Sequence, residues 1–124
     1  MIIGIPKEVK NRENRVAAVP GGVKIFVDAG HEVLVQRSAG VGAGIPDEKY
    51  IESGARIVDT AEEVWGQAEL IIKVKEPIAQ EFPLMKEGLI LYTYLHLAAA
   101  TDLAKELVKR KVTAIAYETI ELAD

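Results

Sequence analysis

Short apolar segments rich in β-branched and aromatic residues alternate along this sequence with segments that carry helix start and stop signals. The apolar segments are typical of strands. Six are predicted: Met1–Ile5, Glu32–Gln36, Ala55–Val58, Glu69–Val74, Leu89–Tyr94 and Val112–Tyr117. Strands separated by helices form βαβ units, which build parallel sheets with right-handed crossovers. This alternation therefore constrains the fold more than any other feature of the sequence.

Four helices are predicted between the strands. Their start signals are Pro20, Pro46-Asp47-Glu48, the capping box Thr60-x-x-Glu63, and Thr101-Asp102. Gly30 and Gly54 close the first two, and we place Leu103, Leu107 and Val108 on one face of the last. The segment from Pro77 to Lys86 has a weaker helical signal because Pro83 interrupts it. We expect an α/β fold with an open, mostly parallel six-stranded sheet and flanking helices, the layer architecture of Rossmann and flavodoxin folds.

Length and composition exclude several classes of protein. The sequence has 124 residues, which fits a single domain, and 49% of them are hydrophobic, as in folded soluble proteins. It has no cysteine and only two histidines, so disulfides and thiolate metal sites are excluded and we expect no metal. The net charge of −4 argues against nucleic-acid binding. No targeting or membrane-spanning segment is visible, so we expect a cytoplasmic location and no membrane partner.

Three residues that follow strands are candidates for a functional site. In an open parallel sheet, ligands bind beyond the carboxyl ends of the strands. Arg15 follows the first strand, Lys75 the fourth and His96 the fifth. An arginine can hold a carboxylate through two hydrogen bonds, a lysine can polarise a carbonyl oxygen, and a histidine can transfer protons near neutral pH. Together they suit a small anionic substrate with a carbonyl group.

Each candidate also has a purely structural interpretation. Arg15 lies in a charged loop where solvated arginines are common, and Lys75 could simply cap the end of a strand. His96 interrupts the apolar run LILYTYLHLAAA, where a polar group must find a partner or face a cavity. His31 follows Gly30 at a helix end, where it can bond terminal carbonyls, and we assign it no functional role.

A glycine-rich segment resembles part of a nucleotide-binding motif. Gly40-Val41-Gly42-Ala43-Gly44 follows a strand and precedes a helix, and Asp59 ends the next strand. The sixth position of the motif is Ile45 instead of glycine, and Pro46 falls where the helix of that motif should already be running. We interpret the segment as a flexible loop and expect no cofactor to bind there.

Several longer stretches resemble one enzyme family. MIIGIPKEVKNRENRVAAVPGGV is similar to the opening of alanine dehydrogenases, and KVKEP, GLILYTYLHLAA and VTAIAYET are similar to later signatures of that family, in the same order. Transhydrogenases and saccharopine dehydrogenases share the opening, but the run from Tyr94 to Ala98 resembles the alanine dehydrogenase form.

The resemblance implies an activity and residue roles. The family catalyses the reversible reaction of L-alanine, NAD and water to pyruvate, ammonium and NADH. By the resemblance, Arg15 would bind the substrate carboxylate, Lys75 would bind the keto oxygen, and His96 would be the acid/base catalyst. The same three residues follow from their positions after strands.

The resemblance also implies that the sequence is one part of a larger arrangement. Family members are about three times as long, with a Rossmann domain inserted into a discontinuous substrate domain. We expect residues 1–124 to form a single domain, the N-terminal part of the substrate domain, incomplete relative to the full family domain. The NAD-binding domain would be absent, so we expect little or no tight NAD binding or catalysis by this sequence alone.

Three interpretations stay open at this point. The sequence could be the substrate-binding part of an NAD-dependent alanine dehydrogenase. It could be a stand-alone binding module that holds pyruvate, L-alanine or another small keto or amino acid without turnover. It could also be a minimal dehydrogenase whose glycine loop recruits NAD. In each case we expect a homo-oligomer, with a dimer favoured, because four helices cannot cover both faces of six strands.

Overall fold

The computed structural model describes residues 1–9, 14–93 and 101–116, and within them the predicted alternation of strands and helices is confirmed. The strands are β1 (Ile2–Ile5), β2 (Glu32–Gln36), β3 (Arg56–Val58), β4 (Leu70–Ile72), β5 (Ile90–Thr93) and β6 (Thr113–Ala116). The helices are α1 (Pro20–Asp28), α2 (Asp47–Glu52), α3 (Ala61–Gln67) and α4 (Thr101–Lys109). Short 3₁₀ helices span Val41–Ala43 and Ala79–Leu84.

All strands pair in parallel in the order β3-β2-β1-β4-β5-β6. The chain first builds outward from β1 to β2 and β3, and then returns to the other side of β1 to add β4, β5 and β6. The direction of winding therefore reverses between β1 and β4. In sheets of this kind the crevice beyond the carboxyl ends at such a reversal is the usual ligand site.

Two apolar cores cover the two faces of the sheet. Alternation along each strand sends neighbouring side chains to opposite faces, so Leu34 joins one core while Val33 and Val35 join the other. The helices α3 and α4 cover the first face, with Trp65 and Leu103 fully buried there. The helices α1 and α2 cover the second face against β1, β2 and β3.

One detail of the predicted helix faces is wrong. Leu103 and Leu107 are buried as predicted, but Val108 is 81% exposed. The reason is geometric: Leu103 and Leu107 lie one turn apart on the same stripe, whereas Val108 is turned about 100° further around the helix axis.

The segment with the weak helical signal, from Pro77 to Lys86, forms the 3₁₀ helix Ala79–Leu84, which accommodates Pro83.

Candidate functional site

An open cleft of about 420 Å³ lies beyond the carboxyl ends of β1, β2 and β4. Its volume is in the range of sites for small molecules. The lining combines apolar side chains with one arginine: Arg15, Val16, Ala17, Val19, Ala43, Ile45 and Val74. The cleft therefore sits beside the reversal in winding between β1 and β4, where the fold places ligand sites.

Arg15 reaches the cleft from the segment that joins β1 to α1. Its side chain is exposed, and the glycine loop after β2 packs against the preceding residue. A Cβ added to Gly42 would lie 3.1 Å from both the backbone and side-chain oxygens of Asn14. A side chain at Gly42 would therefore require Asn14 to shift by a few tenths of an ångström.

Tyr50 fixes the other end of the same segment. Its hydroxyl donates a hydrogen bond of 2.7 Å to the backbone carbonyl of Ala18, and the whole residue is buried. Burial raises the pKa of the Tyr50 phenol to about 12, with a further contribution from the charge of Asp47. The phenol is therefore a neutral donor at ordinary pH, and it holds the chain between Arg15 and α1.

Lys75 lies three residues beyond the end of β4 and is partly buried. Its backbone N–H donates to Glu8 Oε1 over 3.2 Å. Val74, the preceding residue, lines the cleft, whereas Lys75 is not among the described residues that do so. The structure thus brings Arg15 to the cleft and Lys75 next to its wall.

A buried charge network joins the ends of β1 and β4. Lys73 Nζ lies 3.0 Å from Glu8 Oε1 and 3.1 Å from Glu81 Oε2. The side chains of Glu8, Lys73 and Glu81 are only 2%, 1% and 4% exposed. Burial raises the pKa of Glu81 above its ordinary value, and the nearby Lys73 charge opposes that rise only in part. Removal of one partner would leave an uncompensated buried charge.

Sequence reasoning missed this network, although one signal for it was present. Lys73 directly follows the apolar run Leu70–Ile72 within the strand predicted at Glu69–Val74, and a lysine in an apolar strand is rarely buried without a partner. The identity of its partners could not be predicted, because Glu8 is 65 residues away in the sequence.

His96 lies outside the described residues, so its predicted place at the site stays a prediction. The last described residue of β5 is Thr93, and β5 pairs with β4. The strand that precedes His96 therefore neighbours the strand that precedes Lys75.

The glycine loop does not have the geometry of a phosphate-binding turn. Such turns present free backbone N–H groups to the phosphate. Here the N–H groups of Val41, Ala43, Gly44 and Ile45 all donate to carbonyls of residues 38–41 within the loop. A Cβ on Gly40 would lie 2.8 Å from the Tyr50 ring, so this glycine serves packing. Four N–H groups that a pyrophosphate site in this loop would use are therefore already engaged within the loop.

Comparison with known proteins identifies the family. The family model described as "Alanine dehydrogenase/PNT, N-terminal domain" matches residues 4–124. This chain belongs to that family. The match covers nearly the whole sequence: the last two residues of β1 and every strand and helix described above from α1 onward.

Individual relatives agree with this family membership. An alanine dehydrogenase of Methanococcus maripaludis is 58% identical over 124 residues, which are 100% of this chain and 33% of that protein. A solved L-alanine dehydrogenase structure superimposes with a TM-score of 0.93 at 47% identity, over 95% of this chain and 32% of the other. A transhydrogenase structure from Sinorhizobium meliloti gives a TM-score of 0.87 at 29% identity, over 94% and 34%. The chain thus spans about a third of the length of these relatives.

Neither a membrane-spanning helix nor a cluster of metal ligands occurs in the part of the chain that the structure describes. No helix there is long and apolar enough to cross a membrane. No group of three or more histidine, aspartate or glutamate side chains there could hold a metal ion.

Proposed function

We propose that this alanine dehydrogenase/PNT-family chain is the substrate-binding part of an NAD-dependent L-alanine dehydrogenase. The reaction converts L-alanine, NAD and water to pyruvate, ammonium and NADH. The observation that carries the proposal is the cleft beside the β1–β4 reversal, with Arg15 on its lining and Lys75 directly after Val74 on its wall.

The proposed roles follow from the chemistry of the side chains. The Arg15 guanidinium donates two parallel hydrogen bonds to the substrate carboxylate, which fixes the orientation of a three-carbon acid. The Lys75 ammonium donates to the keto oxygen of pyruvate and stabilises negative charge that develops there. His96 transfers the proton to and from that oxygen. Each role is a separate proposal.

The cofactor would be held by sequence outside residues 1–124. Hydride transfer needs the reacting atoms held about 3–3.5 Å apart, and four N–H groups of the glycine loop already donate within the loop. We therefore propose that the chain alone binds the substrate without appreciable turnover and without tight NAD binding. We also propose a cytoplasmic location.

Calorimetry of the isolated chain with pyruvate tests this proposal. We expect weak, saturable binding of pyruvate. Arg15→Gln should lower the affinity by about tenfold or more, because it removes a charge-assisted hydrogen-bonded pair. Arg56→Gln is the matched control, because Arg56 is also exposed but bonds Glu32 and Gln67 away from the cleft. Equal effects of the two substitutions would contradict the assignment of Arg15.

An NADH absorbance assay with alanine, and with pyruvate plus ammonium, separates binding from turnover. We expect no more than a trace of activity from the chain alone. A turnover number like that of a full-length family enzyme, abolished by Lys75→Ala, would show that the chain is a minimal dehydrogenase instead.

A further inference from the structure

Glu8 connects the two strand ends at the reversal in winding. It lies three residues beyond β1, and its carboxylate accepts three hydrogen bonds from residues just beyond β4. The donors are Lys73 Nζ at 3.0 Å, the Val74 N–H at 3.0 Å and the Lys75 N–H at 3.2 Å. Two of the three donors are therefore backbone groups.

These backbone bonds begin where the sheet ladder ends. The Lys73 N–H still donates to the Tyr92 carbonyl of β5 over 3.0 Å. Beyond that point the chain leaves the sheet, and buried N–H groups must find another acceptor. Glu8 supplies that acceptor for the next two residues, so a single side chain fixes the backbone that carries Lys75.

Charge pairing alone does not account for this arrangement. Lys73 already lies 3.1 Å from Glu81, and a buried ion pair contributes little net stability. The second oxygen of Glu8 is directed at the Val74 N–H. The carboxylate with its two acceptor oxygens can bond Val74 and Lys75 together, whereas an amide side chain has one acceptor oxygen.

We propose that Glu8 is a positioning residue for Lys75, held in place by Lys73 and Glu81, and that it sets the selectivity of the cleft for a keto acid. The inference rests on the proposed function, in which Lys75 bonds the keto oxygen. Glu8 acts through the backbone of Val74 and Lys75 and does not touch the substrate. Its loss should therefore affect recognition of the keto oxygen more than recognition of the carboxylate.

The test compares two ligands that differ at the keto oxygen. Pyruvate and propionate share a carboxylate and a three-carbon skeleton, but only pyruvate offers an oxygen to Lys75. Calorimetry measures the ratio of their dissociation constants for the unsubstituted chain, Glu8→Gln, Lys75→Met and Glu69→Gln. Glu69→Gln is the matched control, because Glu69 Oε1 accepts from the Ile2 N–H over 2.7 Å at the opposite end of the same two strands.

We expect the unsubstituted chain to prefer pyruvate, and we expect Lys75→Met to abolish that preference. Glu8→Gln should reduce the preference by roughly fivefold or more, as expected for the loss of one hydrogen bond. Glu69→Gln should leave it unchanged. If Lys75→Met abolishes the preference while Glu8→Gln preserves it, the positioning role is refuted and the proposed function stands. If the unsubstituted chain shows no preference for pyruvate, or Lys75→Met leaves that preference intact, the proposed role of Lys75 fails.

A second measurement, hydrogen exchange, needs no ligand and can be used where pyruvate binds too weakly for calorimetry or where a variant folds poorly. Hydrogen exchange of at least one of the Val74 and Lys75 amides should accelerate by about tenfold or more in Glu8→Gln relative to Glu69→Gln, because glutamine keeps only one acceptor oxygen. If Glu8→Gln does not fold, the triple substitution Glu8→Gln, Lys73→Met and Glu81→Gln removes every charge of the buried network and should show the same acceleration. Unchanged exchange at both amides would overturn the inference without reference to any ligand.

Discussion

At Gly4 a strand and a helix approach each other so closely that no side chain fits between them. A Cβ there would lie 2.7 Å from Ala68 Cβ, 2.9 Å from Ile71 Cδ1 and 3.0 Å from Val64 Cγ2. Val64 on α3 and Ala68 directly after it belong to the same core as Trp65. They cannot move away from β1 without disturbing that core. The glycine therefore sets the distance between α3 and β1.

We expect Gly4→Ala to lower the free energy of unfolding by about 1–3 kcal/mol, because overpacking forces the backbone to shift. Gly66→Ala is the control, since nothing lies within 4 Å of its added Cβ and it stands inside α3. That substitution should stabilise the protein by about 0.5–1 kcal/mol. Urea unfolding measures both, and equal stabilities of the two variants would contradict the packing argument.

Tyr50 should make the stability of the protein fall at high pH. Its pKa rises from 10.0 in the unfolded chain to about 12 in the buried site. Between these values the unfolded chain releases the proton and the folded chain retains it, so the folded state loses stability as the pH rises. Well below pH 10 the Tyr50 phenol is protonated in both states, so it does not make the free energy of unfolding depend on pH.

The variant Tyr50→Phe isolates that contribution. At neutral pH we expect it to be about 1 kcal/mol less stable, because the Ala18 carbonyl loses its donor. At pH 11 the difference in the free energy of unfolding between the two proteins should narrow by about 1 kcal/mol, because only the unsubstituted protein has a phenol that ionises in the unfolded chain. Urea unfolding at the two pH values checks this, and a gap that widens at high pH would contradict the assigned burial.

At the residue scale the sequence pointed to single candidate side chains but not to the contacts between residues. Arg15 and Lys75 could be selected because strand ends in parallel sheets carry ligand sites. Glu8, Lys73 and Glu81 could not be linked in advance, because their contact depends on which strands become neighbours. That adjacency is a property of the whole sheet.

At the scale of elements, helix and strand identities were predicted well and their bounds less well. The fourth strand was predicted as Glu69–Val74 and is Leu70–Ile72. Its apolar pattern continues to Val74, but the backbone leaves the ladder earlier to bond Glu8. A tertiary contact thus shortens the strand, and local propensity carries no information about it.

The predicted capping box of α3 offers a direct test at this scale. Thr60 Oγ1 accepts a hydrogen bond of 3.2 Å from the Glu63 N–H, which satisfies one free donor of the first turn. We expect Thr60→Ala to lower the free energy of unfolding by about 1 kcal/mol, whereas Thr60→Ser should cost much less because the hydroxyl is kept. Thermal or urea unfolding of the pair measures the difference, and equal losses would show that the cap contributes nothing.

At the scale of the whole molecule, the parallel sheet was predicted but the strand order was not. Alternation indicates βαβ units without stating on which side of β1 each new strand is added. In the structure, α1 and α2 cover one face of β1, β2 and β3. On that same face Tyr92 pairs in register with Ile115, which is 39% exposed.

Such partly covered apolar surface is the basis for the proposed dimer, which would bury the region near β6 or α4. We expect sedimentation equilibrium to give a mass above the 13.5 kDa of one chain. Val108→Asp should dissociate the assembly if α4 forms the contact, whereas Ile25→Asp should not, although both side chains are largely exposed, at 81% and 70%. A monomer at high micromolar concentration would rule the dimer out.

The most direct test of the proposed function is a chimera. The alanine dehydrogenase of Methanococcus maripaludis matches all 124 residues of this chain over 33% of its own length. This chain can therefore replace the matching third of that enzyme, and the NADH absorbance assay then measures alanine-dependent NAD reduction. We predict an active chimera that loses activity on Arg15→Gln and on Lys75→Met and keeps it on Arg56→Gln. A correctly folded chimera that is inactive, or one whose activity survives Lys75→Met, would contradict the proposal that this chain supplies the substrate site.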